Sequence, residues 1–365
     1  MPYNKIKIAE LNAEVVAFRA IMDALKVPMS EAQRLIDKRR VFCDGLLVQS
    51  KNQLLRGVIE LIAYQNAARG EKPVVETEDF AVFEKKSGVL SHPNGRKCPY
   101  SLCDELWTLY GVGASVAHRL DRETSGLILA AKHSAAQRAL KGLFERKMVQ
   151  KEYLALVEGR TEPEFSVNLP MKLARNYDDI KTRMKICDLK DGGKPAITHF
   201  KRLEYFENLD EIMARAELCA ENLGGKPCKP SENSCVNFEN AATWHCATFE
   251  NTAAIERGER FSSEILPRGA SLVLARPLTG RQHQIRLHLF SVGHKILGEP
   301  LYGLKKSQIE RLLEGKMSLA ERLNLTGASR LCLHSNRLCF EFESKKFDIV
   351  SQKDIVAEFL AAICH

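Results

Sequence analysis

The sequence predicts an α+β protein with a small N-terminal α/β module followed by a larger domain. Two amphipathic helix patterns, a hairpin signal and an apolar strand fall within residues 1–66, whereas from Phe80 short β-runs mix irregularly with helices. The length of 365 residues suits two or three domains. Apolar residues make up 45% and charged residues 27%, a balance that argues against a mainly disordered chain.

Residues 1–66 follow the order helix, helix, hairpin, strand. Apolar side chains at spacings of three and four predict a helix over 11–26, and Ser30 is placed to cap a second helix that runs to Arg40. Asp44-Gly45 between two apolar runs is typical of a β-hairpin. The second helix and its exit expose several cations, so the module is expected to carry a basic face.

The larger domain follows a polar linker. We expect the linker at 67–78 and the domain at 79–365. Apolar and polar residues alternate around Ile285, which predicts a strand there. The other strong patterns predict a helix over 134–146 and strands over 80–83, 127–131 and 153–157.

Residues 207–264 interrupt this domain with an acidic stretch. It holds 11 acidic and 5 basic residues, so the rest of the chain has a net charge of +14 against +8 for the whole. Little periodicity indicates an insertion or a long surface excursion. Irregular spacing favours free thiols over a structural zinc site for its cysteines, which are Cys219, Cys228, Cys235 and Cys246.

The charge and cysteine content narrow the protein class. A net charge of +8 permits a nucleic-acid partner without establishing one. Because the 11 cysteines form no CxxC pair and no secretory signal pattern precedes them, we expect reduced thiols in a cytoplasmic protein. No run approaches the roughly 20 apolar residues of a membrane helix, so we expect no membrane contact.

Two segments concentrate charged side chains in the pattern of a site. In AHRLDRETSGLILA, Arg119 and Arg122 flank Asp121, and two neighbouring cations favour an ionised carboxylate that can act as nucleophile or base. In LARPLTGRQHQIRLHL, the arginine density suits phosphate or carboxylate recognition. A solvated surface cluster is the alternative for the first segment. Polar packing, or a metal site, is the alternative for the histidines of the second.

Five ordered motifs resemble the RluA-type pseudouridine synthases. HRLDRETSGLILA is similar to the family signature HRLDxxTSGLLL, and TGRQHQIRLHL to TGRxHQIRxHL. The resemblance also covers KEYLALVEG, GHKILGEPLYG and LHSNRLCF, so it extends over residues 80–350. It implies a mixed, largely antiparallel sheet with flanking helices. Two departures are Lys85-Lys86-Ser87-Gly88 in place of a K-P-x-G turn and Glu299 in place of an aspartate.

The resemblance implies an RNA pseudouridine synthase that needs no cofactor and no metal, and we expect the protein to be a monomer. By the motif match, Asp121 is the essential carboxylate and Arg286 the cation that pairs with it. Tyr153 stacks on the target base, and Arg119 fills the space of a flipped-out uridine. Arg122 and Arg281 follow as phosphate contacts or scaffolding. Attack on the sugar, attack on the base and removal of a ribose proton all stay open for Asp121.

Residues 30–48 resemble the αL RNA-binding motif of ribosomal and tRNA-synthetase proteins. This match implies that the second helix binds RNA through its cations, which are Arg34, Lys38, Arg39 and Arg40. The RNA would be ribosomal or transfer RNA. The alternative function is a non-catalytic RNA-binding protein that kept the synthase fold, although Asp121, Tyr153 and Arg286 are all present.

Overall fold

The computed structural model divides the chain into two compact units, each built from segments that are distant in sequence. One unit contains Met1–Glu71 and His92–Val112, and the other contains Lys72–Ser91 and Gly113–His365. The boundaries expected from the sequence stay a prediction. Among the described residues, no helix is long and apolar enough to cross a membrane. The structure describes residues 3–64, 67–94, 98–174, 180, 182–208, 211 and 269–364.

The first unit is a four-stranded antiparallel sheet with helices. The strand order is β1-β4-β2-β3. Its core joins Ala17 and Ile21 of one helix, Ala32 and Ile36 of the next, and Ile59 of the sheet. The elements are β1 (Tyr3–Val16), α1 (Ala17–Leu25), α2 (Met29–Asp37), β2 (Val41–Cys43), β3 (Leu46–Leu47), β4 (Leu54–Tyr64) and α3 (Leu102–Tyr110).

Two predictions for this unit were wrong at the element ends, and one is confirmed. Residues 11–16 belong to β1 rather than to a helix, because they pair with β4 across a bulge, and the apolar spacing continues from this strand into α1. Helix α2 begins at Met29 without a side-chain cap and ends at Asp37, so Ser30 lies inside it. The hairpin is confirmed. Asp44 and Gly45 both have positive φ, at 47° and 79°, as a type I′ turn requires.

The second unit is built on a ten-stranded, largely antiparallel sheet, which confirms the α+β prediction. Its order is β10-β13-β14-β9-β15-β8-β6-β5, with β16 beside β15 and β7 beside β8; among the described strands, β15 and β8 form the one parallel pair. A separate two-stranded sheet holds β11 (Met171–Leu173) and β12 (Met184–Ile186). The ten strands are β5 (Val75–Glu76), β6 (Phe80–Lys85), β7 (Ser115–Val116), β8 (Ser125–Ala131), β9 (Gln150–Glu158), β10 (Glu164–Asn168), β13 (Ile197–Phe206), β14 (Ala270–Pro277), β15 (Leu333–Phe342) and β16 (Lys345–Val350).

Helices flank this sheet. Leu140 and Leu143 on one face of α4 join the apolar cluster that contains Leu127 of β8 and Phe340 of β15. Gly126 marks the close approach of β8 to β15, because a Cβ there would lie 2.4 Å from the carbonyl oxygen of Ser335. The described helices are α4 (Ser134–Glu145), α5 (Gln284–Ser291), α6 (Lys306–Leu313), α7 (Leu319–Thr326) and α8 (Ile355–Cys364), and a 3₁₀ turn spans Leu189–Asp191.

The strand predicted around Ile285 is wrong, because this segment forms helix α5. The helix is buried on nearly all sides, including its polar residues Gln284, Arg286 and His288. A helix with no solvent face shows no 3.6-residue periodicity, so its chance alternation resembled a strand. The acidic stretch 207–264 and its four cysteines lie outside the described residues, apart from positions 207, 208 and 211.

Candidate active site

Asp121 lies in the loop between β7 and β8. A short turn closes the loop, in which the Thr124 amide donates to the Asp121 carbonyl oxygen at 3.2 Å. The Asp121 side chain is 20% exposed, which leaves it reachable by a ligand. Strand β8 begins only four residues later, so the central sheet fixes one end of the loop.

A preceding segment, residues 85–91, holds the Asp121 loop through its backbone. The Ser91 hydroxyl donates to the Leu120 carbonyl at 2.8 Å and accepts from the Leu120 amide at 3.1 Å. The Ser87 hydroxyl donates to the Glu123 carbonyl at 2.6 Å. Asp121 is therefore bracketed by bonds on both sides of it in the chain.

Lys85 completes this bracket from inside the protein. The residue is 1% exposed, and its ammonium donates to three carbonyl oxygens, those of Lys86 at 3.0 Å, Val89 at 2.7 Å and Arg122 at 3.1 Å. Burial lowers the pKa of Lys85 to about 7, and the carboxylates of Glu123 and Asp121 oppose that shift. The three carbonyls satisfy all three ammonium donors, so the lysine ties two loops together.

Arg286 reaches Asp121 from helix α5. Its Nη1 donates to Asp121 Oδ2 at 3.2 Å. The rest of the guanidinium faces Glu299, which accepts from Nε at 2.8 Å and from Nη2 at 2.6 Å. Arg286 and Glu299 are only 3% and 1% exposed, and this bidentate pair holds the guanidinium plane in one orientation. Glu299 also accepts from the Leu301 amide at 2.9 Å.

The cations around Asp121 keep its carboxyl ionised. Burial alone would raise the pKa of Asp121, but the charges of His283 and Arg286, the hydrogen bond from Arg286 and the charge of Arg119 bring the pKa below its usual value. Burial holds the pKa of His283 itself at about 4, so this histidine is neutral at pH 7. Arg286 therefore supplies the main charge effect at neutral pH.

Tyr153 stands on β9, between β14 and β15, and is 8% exposed. Burial raises the pKa of its hydroxyl, and the negative charge of Asp121 raises it further. The ring is therefore neutral and lies within electrostatic range of Asp121. The structure thus brings Asp121 and Arg286 into contact and places Tyr153 close enough for the charge of Asp121 to affect its pKa.

The arginines predicted to contact RNA in this unit differ in how far they are engaged. Arg119 is exposed, and its charge lowers the pKa of Asp121. Arg122 donates from Nε to Glu123 at 2.8 Å. Arg281 is exposed, and its Nε donates to the Pro195 carbonyl at 3.1 Å.

The other predicted RNA contacts lie in the first unit. Arg34 lies in the last turn of α2, and Lys38 and Arg39 follow its end; all three are exposed. Arg40 is half-buried, and its amide donates to the Leu35 carbonyl at 3.1 Å.

Two groups in the site were missed among the predicted site residues, namely Glu299 and His283. In the sequence Glu299 is only a departure from an aspartate, because the burial that requires a cationic partner is visible only in the structure. His283 places Nε2 at 3.7 Å from Asp121 Oδ2, whereas His288 bonds Thr198 and Leu169 instead. The His118 ring packs at a tilt against Phe144 and accepts from the Leu129 amide, as is typical of a structural histidine.

No set of three or more potential metal ligands assembles among the described residues. The chemistry that these residues offer is that of a single ionised carboxylate, fixed by a buried arginine and lying near a neutral tyrosine. Such a carboxylate can act as a nucleophile or as a general base.

Comparisons with known proteins identify the family. The model of the RNA pseudouridylate synthase family matches residues 79–291. A Helicobacter pylori protein named "Uncharacterized RNA pseudouridine synthase" is 33% identical over 332 residues, covering 91% of this chain and 89% of that protein. The "Dual-specificity RNA pseudouridine synthase RluA" of Pasteurella multocida is 30% identical, covering 77% of this chain and 91% of its own length.

The name of a further relative refers to the large ribosomal subunit. The "Ribosomal large subunit pseudouridine synthase D" of Zymomonas mobilis is 27% identical, covering 66% of this chain and 58% of its own length. Together with the family match, these relatives show that the chain is an isomerase whose partner is RNA. The chain belongs to the RNA pseudouridylate synthase family, in its RluA-type branch.

Proposed function

We propose that this enzyme isomerises specific uridines in a structured RNA and that Asp121 is its catalytic carboxylate. The observation that carries the proposal is the Asp121–Arg286 pair at 3.2 Å, in which the arginine is buried while 20% of the aspartate side chain stays exposed. A buried cation held by a second carboxylate, beside an accessible carboxylate, keeps that carboxylate ionised and oriented. The alternative, in which Asp121 belongs to a solvated surface cluster, does not account for its contact with a buried arginine.

The reaction is balanced without any other reactant. The C1′–N1 bond of the uridine breaks and a C1′–C5 bond forms, while a proton leaves C5 and N1 gains one. Attack on the sugar, attack on the base and removal of a ribose proton each require an unprotonated carboxylate. The lowered pKa of Asp121 suits all three routes at neutral pH.

Tyr153 and Arg119 are the groups proposed to handle the base. A uridine must leave its stack to reach Asp121. Tyr153 is neutral and close enough for its pKa to respond to Asp121, so its ring suits stacking on the flipped base. Arg119 is exposed on the same loop and can fill the vacated space with a planar guanidinium. Arg122 and Arg281 are proposed to contact phosphates.

The proposed substrate is ribosomal RNA of the large subunit, with transfer RNA as the second candidate. The first choice follows the name of the Zymomonas mobilis relative. The N-terminal residues 1–66 are proposed to add affinity through α2 and its exit, where Arg34, Lys38 and Arg39 are exposed. The linker at 67–78 and the catalytic domain at 79–365 complete this proposed organisation.

The test is a map of pseudouridine across cellular RNA. Three strains would be compared: one with the protein, one without it, and one with Asp121→Asn at equal abundance. We expect one or a few uridines, in ribosomal RNA, that lose modification both without the protein and with Asp121→Asn. Modification retained by Asp121→Asn would contradict the catalytic assignment. Sites found only in transfer RNA would shift the substrate to the second candidate.

A further inference from the structure

Both side chains that reach Asp121 from the start of α5 meet the same carboxylate oxygen. Arg286 Nη1 lies 3.2 Å from Oδ2, and His283 Nε2 lies 3.7 Å from Oδ2. Among the described residues, Oδ1 accepts no hydrogen bond. The two oxygens of Asp121 are therefore not equivalent, since one is held by the protein and the other is left to a ligand.

Tyr302 determines which nitrogen of His283 carries the proton. The Tyr302 hydroxyl oxygen accepts from the Met184 amide at 3.3 Å and lies 3.1 Å from His283 Nδ1. Tyr302 is 1% exposed, so its O–H needs a buried acceptor, and Nδ1 is the acceptor within reach. With Nδ1 accepting, the neutral imidazole carries its proton on Nε2, the atom that faces Asp121.

The backbone leaves His283 little freedom to move. It lies immediately before α5 at a φ of 54°, in the left-handed region. The next side chain, Gln284, accepts from the Thr279 hydroxyl at 2.7 Å and from the Arg281 amide at 3.0 Å, and it donates to the Ile197 carbonyl at 2.9 Å. This network fixes the turn that aims the imidazole.

We propose that His283 is a positioning residue that, with Arg286, holds Asp121 by Oδ2 and leaves Oδ1 to meet the substrate. This inference rests on the proposed function, in which Asp121 is the catalytic carboxylate. At 3.7 Å the Nε2–Oδ2 contact is too long for a hydrogen bond in the free enzyme, and such contacts commonly shorten when substrate binds. The imidazole stays uncharged among Arg286, Asp121, Glu299 and Arg119, so it acts as a directed donor.

The test separates donor chemistry from backbone preference. Asparagine tolerates the left-handed region better than glutamine, but only glutamine is long enough to place an N–H near the position of Nε2. Single-turnover pseudouridine formation would be measured with excess His283→Asn or His283→Gln and RNA extracted from a strain that lacks the protein. The readout is modification at each site over time, alongside RNA affinity and Tm.

We expect His283→Asn to lower the single-turnover rate constant on the order of 10- to 100-fold with nearly unchanged RNA affinity. His283→Gln should recover part of that loss. The matched control is His288→Asn within α5, since His288 is also buried but bonds Thr198 and Leu169 rather than facing Asp121. It should change Tm more than the rate constant.

Two outcomes overturn the proposal. One is wild-type rates for both His283 variants; the other is a faster Asn than Gln variant, because that order follows backbone preference alone. If neither variant folds, Tyr302→Phe takes their place, since it removes the O–H that sets the tautomer, and a wild-type rate there overturns the proposal. Asp121→Asn is run in parallel. Activity in that variant refutes the proposed function itself. If Asp121→Asn is inactive while the His283 variants keep the wild-type rate, only this inference is refuted.

Discussion

The exposed cations of helix α2 and the buried cations around Asp121 differ sharply in their surroundings. In the first unit, Arg34, Lys38 and Arg39 are exposed on α2 and at its exit. In the second unit, Arg286 and Lys85 are 3% and 1% exposed, and most of their N–H donors are hydrogen-bonded to protein acceptors. The same two residue types thus serve different ends. Exposed cations add screened attraction to a phosphate backbone, and buried cations fix geometry.

Under the proposed function, the difference assigns RNA affinity to the exposed cations and the geometry of the site to the buried ones. A buried cation that loses one contact leaves a partner charge unsatisfied, so its effect on stability and chemistry is large. An exposed cation is hydrated when no RNA is bound, so removing it has a small effect on stability, and its effect on RNA binding depends on salt. The following substitutions test whether the buried and the exposed cations differ in this way.

The largest effect is expected at Arg286. Arg286→Met leaves buried Glu299 without its partner and Asp121 without its cation, so we expect a loss of about 3–5 kcal/mol in unfolding free energy and no detectable pseudouridine formation. Thermal unfolding and single-turnover assays measure the two losses separately. Arg337→Met is the control, because Arg337 also pairs with two carboxylates but is 29% exposed and far less buried.

The double variant Arg286→Met with Glu299→Met separates stability from activity. An apolar pair of similar size often replaces a buried ion pair without loss of stability. We therefore expect Tm to recover most of its loss while activity stays absent. Recovery of activity together with Tm would show that Arg286 matters only for folding.

A smaller effect, dependent on pH, is expected at Lys85. Its folded pKa of about 7 lies below the ordinary 10.5, so the unfolded state binds more protons between these values, and wild-type stability should rise with pH across that window. Lys85→Met removes the bonds to three carbonyls and should lower Tm while flattening the rise. Unfolding curves at pH 7 to 10 measure both. The exposed neighbour Lys86 supplies the control Lys86→Met, and an equal slope in both variants would contradict the assignment.

The smallest effect is expected at the exposed cations of the first unit. Changing Arg34, Lys38 and Arg39 to glutamine should weaken RNA binding and lower the slope of log affinity against log salt by about 2–3, at about 0.7–0.9 per phosphate contact. Stability should change little. The control replaces Lys5 and Lys7, which pair with Glu60 and Glu10 on the sheet. If both sets of changes alter the slope equally, α2 is not a specific contact.

The sequence predicted the site's central pair but not what supports it. The motifs singled out Asp121 and Arg286, and the structure places these two side chains in contact. Ser91 and Glu299 were not foreseen as supports, because their roles depend on which loops meet in space rather than on local pattern. Burial of both Glu299 and Arg286 is visible only once the helix and the turn are packed together.

Errors in the predicted elements have physical causes of the same kind. Periodicity reports a solvent face, and α5 has almost none, so Gln284 to Leu289 read as alternating strand residues. Residues 11–16 showed helical spacing, but the long antiparallel partner β4 holds them extended. Turn chemistry was predicted well, since Asp44-Gly45 requires only local backbone geometry.

The most direct test compares Asp121→Asn with the triple variant of Arg34, Lys38 and Arg39 on the same RNA, with enzyme in excess. The account predicts that Asp121→Asn binds the RNA with nearly wild-type affinity and forms no pseudouridine. The triple variant should bind more weakly yet reach the wild-type rate once saturated. Pseudouridine formed by Asp121→Asn at a measurable rate would contradict the central claim that this ionised carboxylate performs the chemistry.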